Sequence, residues 1–254
     1  MLNDNIGDRM KRYEAASKTY LTPRTPVIIR IDGKAFHTFT RGFKKPFDEI
    51  LVKTMQDTMR CLCENIQGCV LGYTQSDEIT LVLVDYKNIY TTPWFNYSIQ
   101  KCVSVAASMA TMAFNMAFNK NIRNTKFFEY EIDPVYIKAS EMGAMFDARV
   151  FNIPKEEVTN CIYWRQLDAS RNSIESLGFA HFSQKEMQGK SCSQVQDMLM
   201  LEKGINWNDL PTTYKRGSCC VRRQVEDAIR PIWIIDNEIP IFKGEGRAYI
   251  DDLI

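Results

Sequence analysis

VIIRIDGKAFH, at residues 27–37, and GYTQSDE, at residues 72–78, each place a carboxylate in a polar turn beside an apolar run. The continuous β-branched run at residues 27–31 predicts a buried strand that ends at Asp32 and Gly33. The apolar runs on either side of residues 74–78 predict an antiparallel hairpin with Asp77 in its turn. If the first strand pairs with this hairpin, Asp32 and Asp77 lie at neighbouring places on one sheet.

Two adjacent carboxylates repel each other unless a cation lies between them. Mg²⁺ prefers oxygen ligands and is usually held by one or two carboxylates together with substrate phosphates. A two-metal site of this kind can activate an attacking oxygen and hold a leaving phosphate. Asp32-Gly33 and Ser76-Asp77 are also typical of ordinary turns, and the residues alone leave that alternative open.

The segment after Asp32 has features that suit a triphosphate. Gly33 allows close approach of the backbone to a metal or a phosphate, and the N–H groups of residues 33–37 can bind a triphosphate as backbone nests do. Lys44 supplies a point charge for phosphates. A lone histidine such as His37 is more typical of a structural hydrogen bond than of a ligand.

The composition bounds the class of protein. A chain of 254 residues with 45% hydrophobic and 25% charged residues is ordinary for a soluble globular protein. It contains no run of eighteen apolar residues, so no membrane span is expected, and its polar N-terminus predicts no signal peptide. Eight cysteines without a C-x-x-C pair, and only two histidines, make a zinc site unexpected and favour a reducing, cytoplasmic setting.

Net charge is +1, so charge alone indicates no polyanionic partner. The segment at residues 215–223 nevertheless has four basic residues and no acid. Such a run is typical either of an anion-binding patch or of a solvated basic loop.

The order of elements predicts an α+β fold. Apolar residues at helical spacing follow Pro46 over residues 51–66, and a second long helix is predicted from Trp94 to about residue 119. With strands at residues 27–31 and 148–153 and the hairpin between the helices, the pattern is the βαββαβ order of ferredoxin-like folds. We therefore predict a catalytic core over residues 1–154 and a mainly helical extension over residues 155–254, packed on the core.

Within that extension, a helix is predicted from residue 156, and SQKE at residues 183–186 matches a capping box. Ser191 or Ser193 is predicted to open a further helix that ends at Gly204. Residues 219–221 and 232–235 have strand-like sequences.

Several motifs occur together in a recognisable order. RIDGKAFH at residues 30–37, FKKPFD at residues 43–48 and GYTQSDE at residues 72–78 resemble the tRNA-His guanylyltransferase superfamily. FDAR at 146–149, WRQ at 164–166 and YKRG at 214–217 are similar to further motifs of that family. The resemblance covers about residues 8–222 and implies a polymerase-like palm with 3′–5′ nucleotide-adding activity.

The resemblance also implies roles for individual residues. Asp32 and Asp77 would be catalytic and hold two Mg²⁺ ions with help from the Gly33 carbonyl. Lys101 matches a basic position that binds a second triphosphate. The implied nucleotide-binding residues are Gly33, Lys34, Ala35, Phe36, His37, Lys44, Ser76 and Lys101, and the weaker matches for tRNA or phosphate contacts are Arg149, Asn172, Lys215 and Arg216.

One segment departs from the pattern of the enzymes devoted to tRNA-His. Those enzymes carry HINNLYN after the W-R-Q motif, whereas residues 170–176 here read SRNSIES and retain only Asn172. Tyr97 and Ser98 also stand where family members often have arginines. This pattern resembles the Thg1-like proteins of bacteria, archaea and phages, which repair truncated tRNA 5′ ends.

The resemblance therefore implies a template-dependent 3′–5′ nucleotidyltransferase that uses Mg²⁺, ATP, GTP and other NTPs on tRNA and works as a homotetramer. Addition of one G to tRNA-His is an alternative. A palm-type nucleotidyl cyclase and a non-catalytic RNA-binding module are rivals that share the scaffold.

Overall fold

A computed structural model of the chain describes residues 5–124, 133–225 and 228–254. Its strands are β1 (Val27–Gly33), β2 (Cys69–Gln75), β3 (Glu78–Leu83), β4 (Phe146–Asn152), β5 (Ser218–Arg223) and β6 (Ile232–Asp236). Its helices are α1 (Ile6–Ala16), α2 (Phe36–Phe39), α3 (Glu49–Asn65), α4 (Ile99–Asn124), α5 (Pro134–Met142), α6 (Val158–His181), α7 (Gln184–Met187), α8 (Cys192–Lys203), α9 (Thr212–Arg216) and α10 (Ala248–Asp251).

The strands form one antiparallel sheet in the order β4-β1-β3-β2-β5-β6. The predicted pairing of the first strand with the hairpin is confirmed, because β1 pairs with β3 and brings Asp32 opposite Glu78. On its other side β1 pairs with β4, with Asp32 opposite Asp147. The end of β1, the β2–β3 turn and the start of β4 therefore meet at one edge of the sheet.

The C-terminal part, predicted as a mainly helical extension, also contributes two strands to the sheet. Its strand β5 pairs with β2, and β6 pairs with β5, so this part widens the sheet. The physical reason is that Cys219, Cys220 and Val221 are buried and that β2 would otherwise leave unpaired backbone groups at a sheet edge. The predicted helices are present: Ser183 and Ser191 each form a capping box, and α8 ends at Gly204 in the left-handed conformation.

The predicted start of the second long helix needs correction. The helix predicted from Trp94 begins at Ile99, because Phe95 and Asn96 have positive φ angles that interrupt the chain before α4. After the end of β1, residues 36–39 form the short helix α2. The helix predicted after Pro46 is present as α3, and the carboxylate of its N-cap residue Asp48 accepts the N–H of Leu51.

Helices α3 and α4 cover one face of the sheet and α6 covers the other. The first layer contains an aromatic cluster in which the rings of Phe36, Phe39 and Phe114 lie 5.2 to 5.5 Å apart. Within the described part of the chain, α4 alone has the length and hydropathy of a membrane-crossing helix. Its Phe114 and Phe118 are fully buried in this cluster, which is the arrangement of a core helix.

Candidate active site

A cavity of about 500 Å³ lies at the sheet edge where β1 ends and the β2–β3 turn begins. Both predicted acids line it, as do many of the residues predicted to bind nucleotide. The predicted residues in its wall are Asp32, Gly33, Ala35, Phe36, His37, Lys44, Ser76 and Asp77.

Main-chain contacts fix this edge. The N–H of Gly33 donates to the carbonyl of Asp77 at 3.1 Å, so the end of β1 is tied to the hairpin turn. Ala35 and Ser76 both have φ angles of 52°, in the left-handed region that non-glycine residues seldom adopt. Such backbone conformations concentrate at functional sites, where the surrounding structure enforces them.

Gly33 is required by close packing. A Cβ atom at this position would lie 2.2 Å from Cδ2 of Phe36, far inside contact distance. The Phe36 ring therefore occupies the space that any side chain at residue 33 would need.

The electrostatics of the two acids favour a cation. Burial raises the pKa of Asp77 above its ordinary value, and the charge of Asp32 raises it further. A hydrogen bond from the Ser76 hydroxyl to Oδ1 of Asp77, at 2.9 Å, acts in the opposite direction. A bound cation would relieve both the burial of the charge and the repulsion between the acids.

The residues present fit Mg²⁺. Two carboxylates and the Gly33 carbonyl are hard oxygen donors of the kind that Mg²⁺ takes, with substrate phosphates completing its coordination. Over residues 5–124, 133–225 and 228–254, no group of three or more His, Cys, Asp or Glu side chains forms a metal cage. Mg²⁺ at these donors would therefore need oxygen atoms of a bound substrate to complete its coordination.

The cationic wall of the cavity includes a residue that sequence reasoning missed, Lys45, which lies beside Lys44. Asp48 fixes this segment: its buried carboxylate accepts the N–H of Lys44 at 3.1 Å and the hydroxyl of Tyr136 at 2.5 Å. The FKKPFD motif at residues 43–48 contains both Lys45 and Asp48, but the sequence alone assigned neither of them a role at the site.

The other predicted residues lie outside this cavity. Lys34 lines a smaller cavity of about 140 Å³ beside Met145. The ammonium of Lys101 lies 5.9 Å from the ring centroid of Phe95. Arg149, on β4, has its guanidinium 4.0 Å from the carboxylate of Asp32 and so borders the site.

Asn172 lines an adjoining cavity of about 130 Å³ that shares Ser76 with the first. Lys215 donates to the carbonyl of Asn208 at 2.5 Å, and the carbonyl of Arg216 accepts the hydroxyl of Tyr73 at 2.8 Å. Neither basic side chain lines the two cavities.

The arginine side chains in the basic run at residues 215–223 have different partners within the fold. The guanidinium of Arg222 lies 5.0 Å from the ring centroid of Trp233, and Arg223 pairs with Asp236 at 2.5 Å. The run is therefore not one uniform anion-binding patch.

An ion pair that sequence reasoning missed lies directly behind the site. Arg165 on α6 donates from Nε to Oε1 of Glu78 at 2.6 Å and from Nη2 to Oε2 at 2.9 Å. The motifs WRQ and GYTQSDE contain the two partners, but no pattern within either motif predicts that they meet.

Replacing Asp77 by asparagine should stabilise the metal-free protein at neutral pH. The raised pKa of Asp77 means that the folded state disfavours the charged carboxylate, so this acid lowers stability as pH rises through its folded pKa. The asparagine amide would keep an acceptor for the Ser76 hydroxyl without the charge. We expect a higher midpoint of urea unfolding for Asp77→Asn at pH 7, with the difference shrinking toward the ordinary aspartate pKa of about 3.9.

Added Mg²⁺ provides the control for that measurement. With GTP in every sample to complete the coordination, Mg²⁺ should raise the unfolding midpoint of the wild type more than that of Asp77→Asn, because a ligand stabilises only the state that binds it. A variant less stable than the wild type at pH 7 without metal would contradict a folded state that disfavours the charged carboxylate of Asp77.

Comparison with known proteins shows similarity over most of the chain. The family model described as tRNAHis guanylyltransferase (Thg1) matches residues 7–154. An uncharacterised protein of Acanthamoeba polyphaga mimivirus is 31% identical over 231 residues, which are 85% of this chain and 77% of that protein. The tRNA(His) guanylyltransferase of Schizosaccharomyces pombe is 28% identical over 230 residues, covering 85% of this chain and 80% of that enzyme.

Solved structures are similar over nearly the whole length. A bacterial tRNA(His) guanylyltransferase (Thg1)-like protein in complex with ATP has a TM-score of 0.84 and 41% identity, covering 98% of this chain and 99% of that one. One in complex with GTP has a TM-score of 0.82 and 39% identity at the same coverage. The fold is shared with the Saccharomyces cerevisiae enzyme, with a TM-score of 0.66 and 24% identity over 88% of this chain and 95% of that one.

Proposed function

Because this chain belongs to the tRNAHis guanylyltransferase (Thg1) family, we propose that it is a template-dependent 3′–5′ nucleotidyltransferase that adds nucleotides to the 5′ end of truncated tRNA. The observation that carries the proposal is that Asp32 and Asp77, remote in sequence, line one cavity with Gly33 and Lys44. The structures of bacterial Thg1-like proteins with ATP and with GTP support ATP, GTP and other NTPs as substrates.

The proposed reaction has two steps. An oxygen of a 5′-monophosphate end attacks the α-phosphorus of ATP, which forms an adenylylated end and releases pyrophosphate. The 3′-hydroxyl of the incoming NTP then attacks the 5′ phosphorus of the RNA, loses its proton and expels AMP. A 5′-triphosphate end skips activation and releases pyrophosphate in the second step.

The carboxylates of Asp32 and Asp77 and the Gly33 carbonyl would hold two Mg²⁺ ions. Bound Mg²⁺ would lower the pKa of the attacking hydroxyl and neutralise charge on the leaving group. His37, Lys44 and the amide groups of residues 35–37 would bind the triphosphate in the same cavity. The amides of Gly33 and Lys34, predicted to join them, instead donate to the carbonyls of Asp77 and Met145. Preorganised donors of this kind act on developing charge without reorganisation.

Residues at the border of the cavity would contact RNA. Arg149 lies beside Asp32 and Asn172 lies in the adjoining cavity, so both are placed near a 5′ end bound at the acids. Lys215 and Arg216 would contact the tRNA backbone farther away. Lys101, outside the cavity, would bind the triphosphate of the activation step.

A second candidate is addition of one G to tRNAHis, which the names of the family model and of the Schizosaccharomyces pombe relative favour. The departure at residues 170–176, where SRNSIES replaces HINNLYN, favours repair instead.

The two candidates differ in their RNA substrates. We would incubate the protein with labelled NTPs, Mg²⁺ and either a 5′-truncated tRNA or a full-length tRNAHis that lacks its extra G. Templated extension of truncated species other than tRNAHis supports repair, and a single G on tRNAHis alone supports the second candidate. A cyclic nucleotide formed without RNA, or RNA binding without turnover, would overturn both.

We propose further that residues 1–154 form a ferredoxin-like polymerase palm and that residues 155–254 form its extension. The strand order β4-β1-β3-β2, with α3 and α4 on one face, supports this division. We propose a homotetramer, as the family resemblance implies. Helix α1 buries none of its residues and exposes Ile6, Met10 and Tyr13, so it offers an apolar surface for a contact between subunits. The free state of all eight cysteines supports a cytoplasmic location.

A further inference from the structure

We propose that Arg165 is a positioning residue that fixes Glu78 and thereby holds the neighbouring Asp77 in its metal-binding place. The inference rests on the proposed function, because it takes Asp77 as a metal ligand. It assigns a purpose to the W-R-Q motif on α6, which no step of the proposed reaction uses.

The contact between the two side chains is a bidentate ion pair in a shielded position. Both oxygens of the Glu78 carboxylate accept from Arg165, at 2.6 and 2.9 Å. The side chain of Arg165 is 12% exposed and that of Glu78 is 14% exposed. A paired guanidinium and carboxylate fix orientation as well as charge, because two parallel hydrogen bonds define one geometry.

Glu78 is a main-chain neighbour of both proposed metal ligands. It follows Asp77 directly, and its Cα is the register partner of Asp32 across β1 and β3. Its carbonyl accepts the hydroxyl of Thr74 at 2.8 Å. A change in the position of Glu78 would therefore move the main chain at Asp77 and the pairing at Asp32 together.

The side chain of Glu78 is turned toward α6, where Arg165 lies, while Asp77 lines the cavity. Successive side chains at the end of a strand point in opposite directions. The two adjacent acids therefore face different parts of the molecule. Asp77 faces the cavity proposed for the substrate, and Glu78 faces Arg165 on α6.

Arg165 is itself held on further sides. Its Nη2 donates to the carboxylate of Asp168 at 2.9 Å, and its guanidinium lies 4.5 Å from the ring centroid of Trp164. Arg30 adds a second cation, with Nε 3.7 Å from Oε2 of Glu78. Arg165 is thus a fixed connection between α6 and β3, and not a mobile surface arginine.

Without Arg165, the shielded carboxylate of Glu78 would keep only the longer contacts from Arg30, at 3.7 Å, and from the Thr80 hydroxyl, at 3.5 Å, and it would lie next to Asp32 and Asp77. The Glu78 side chain would reduce the cost of this unpaired charge by turning toward the metal-binding edge. That movement would alter the ligand set that Asp32 and Asp77 provide. Partners behind metal ligands typically contribute tenfold to hundredfold to metal affinity or activity.

The test compares Arg165→Met and Arg165→Lys in the full chain. We expect Arg165→Met to weaken Mn²⁺ binding, followed by electron paramagnetic resonance with GTP present, by about tenfold to hundredfold. The kcat for nucleotide addition should fall similarly while the KM for tRNA stays within about twofold. Arg165→Lys should restore part of both losses. The matched control is Arg247→Met. It removes a 2.6 Å hydrogen bond from Arg247 to Asn160, a residue of α6, and should change neither Mn²⁺ affinity nor kcat.

A double variant separates positioning from a general loss of structure. Removing both partners of a buried pair can be nearly neutral, whereas removing one leaves the other unsatisfied. Arg165→Met combined with Glu78→Gln should therefore recover Mn²⁺ binding relative to Arg165→Met alone. Wild-type Mn²⁺ affinity in Arg165→Met, or a double variant as weak as the single one, would overturn the inference.

The proposed function fails differently. A wild-type protein that binds Mn²⁺ and GTP but adds no nucleotide to any RNA would overturn the nucleotidyltransferase. The Mn²⁺ affinities of the variants would in that case still decide whether Arg165 positions the metal-binding edge.

Discussion

Alanine at Asp32 or at Asp77 should abolish nucleotide addition while leaving tRNA binding largely intact. The two carboxylates line the cavity and, with the Gly33 carbonyl, are the donors that would hold Mg²⁺ there. Without either one, the attacking 3′-hydroxyl keeps its high pKa and the charge on the leaving phosphate is not neutralised. Single-turnover extension of a 5′-triphosphorylated truncated tRNA measures the chemical step, and filter binding measures tRNA affinity.

Asp147→Ala is the matched control. This residue is the register partner of Asp32 on β4, but it does not line the cavity and its side chain is 58% exposed. Its loss should leave extension measurable, so a general effect of removing negative charge at this edge is separated from loss of a ligand. Extension at the wild-type rate by purified Asp32→Ala or Asp77→Ala would refute the metal assignment.

The meeting of Asp32 and Asp77 could be predicted because each acid closes a strongly patterned strand. The β-branched run before Asp32 and the apolar strands of the hairpin around Asp77 must both be buried. Pairing of β1 with β3 is one of the few arrangements that bury them together. The same kind of local signal predicted α3 after Pro46, the cap at Ser183 and a cap at Ser191 or Ser193, of which the structure uses Ser191.

Features that depend on distant parts of the chain could not be predicted in this way. The pairing of β5 with β2 joins segments of widely separated sequence, and nothing in the period of either strand specifies its partner. The bond between Arg165 and Glu78 likewise spans 87 residues. The late start of α4 results from positive φ angles at Phe95 and Asn96, which their sequence does not signal as glycine would.

Alanine at Gly33 should remove most nucleotide addition and also destabilise the protein. Its Cβ would lie 2.2 Å from Cδ2 of Phe36. The Phe36 ring cannot retreat, because the rings of Phe39 and Phe146 each lie 5.2 Å away. The main chain at Gly33 must then shift, and it carries the carbonyl assigned to Mg²⁺ and the N–H bonded to Asp77. Overpacking of this kind costs about 1–3 kcal/mol.

Because the clash is with one ring, a second substitution should partly reverse it. Phe36→Leu in the Gly33→Ala background makes room for the new Cβ, and we expect it to recover part of the addition rate relative to Gly33→Ala. Phe39→Leu is the control, since Phe39 touches the Phe36 ring but is not among the atoms nearest the new Cβ. Extension rates and urea unfolding of the single and double variants give the coupling between the positions. Equal recovery by the two leucine substitutions would mean that general loosening of the aromatic cluster, and not relief at Phe36, restores the site.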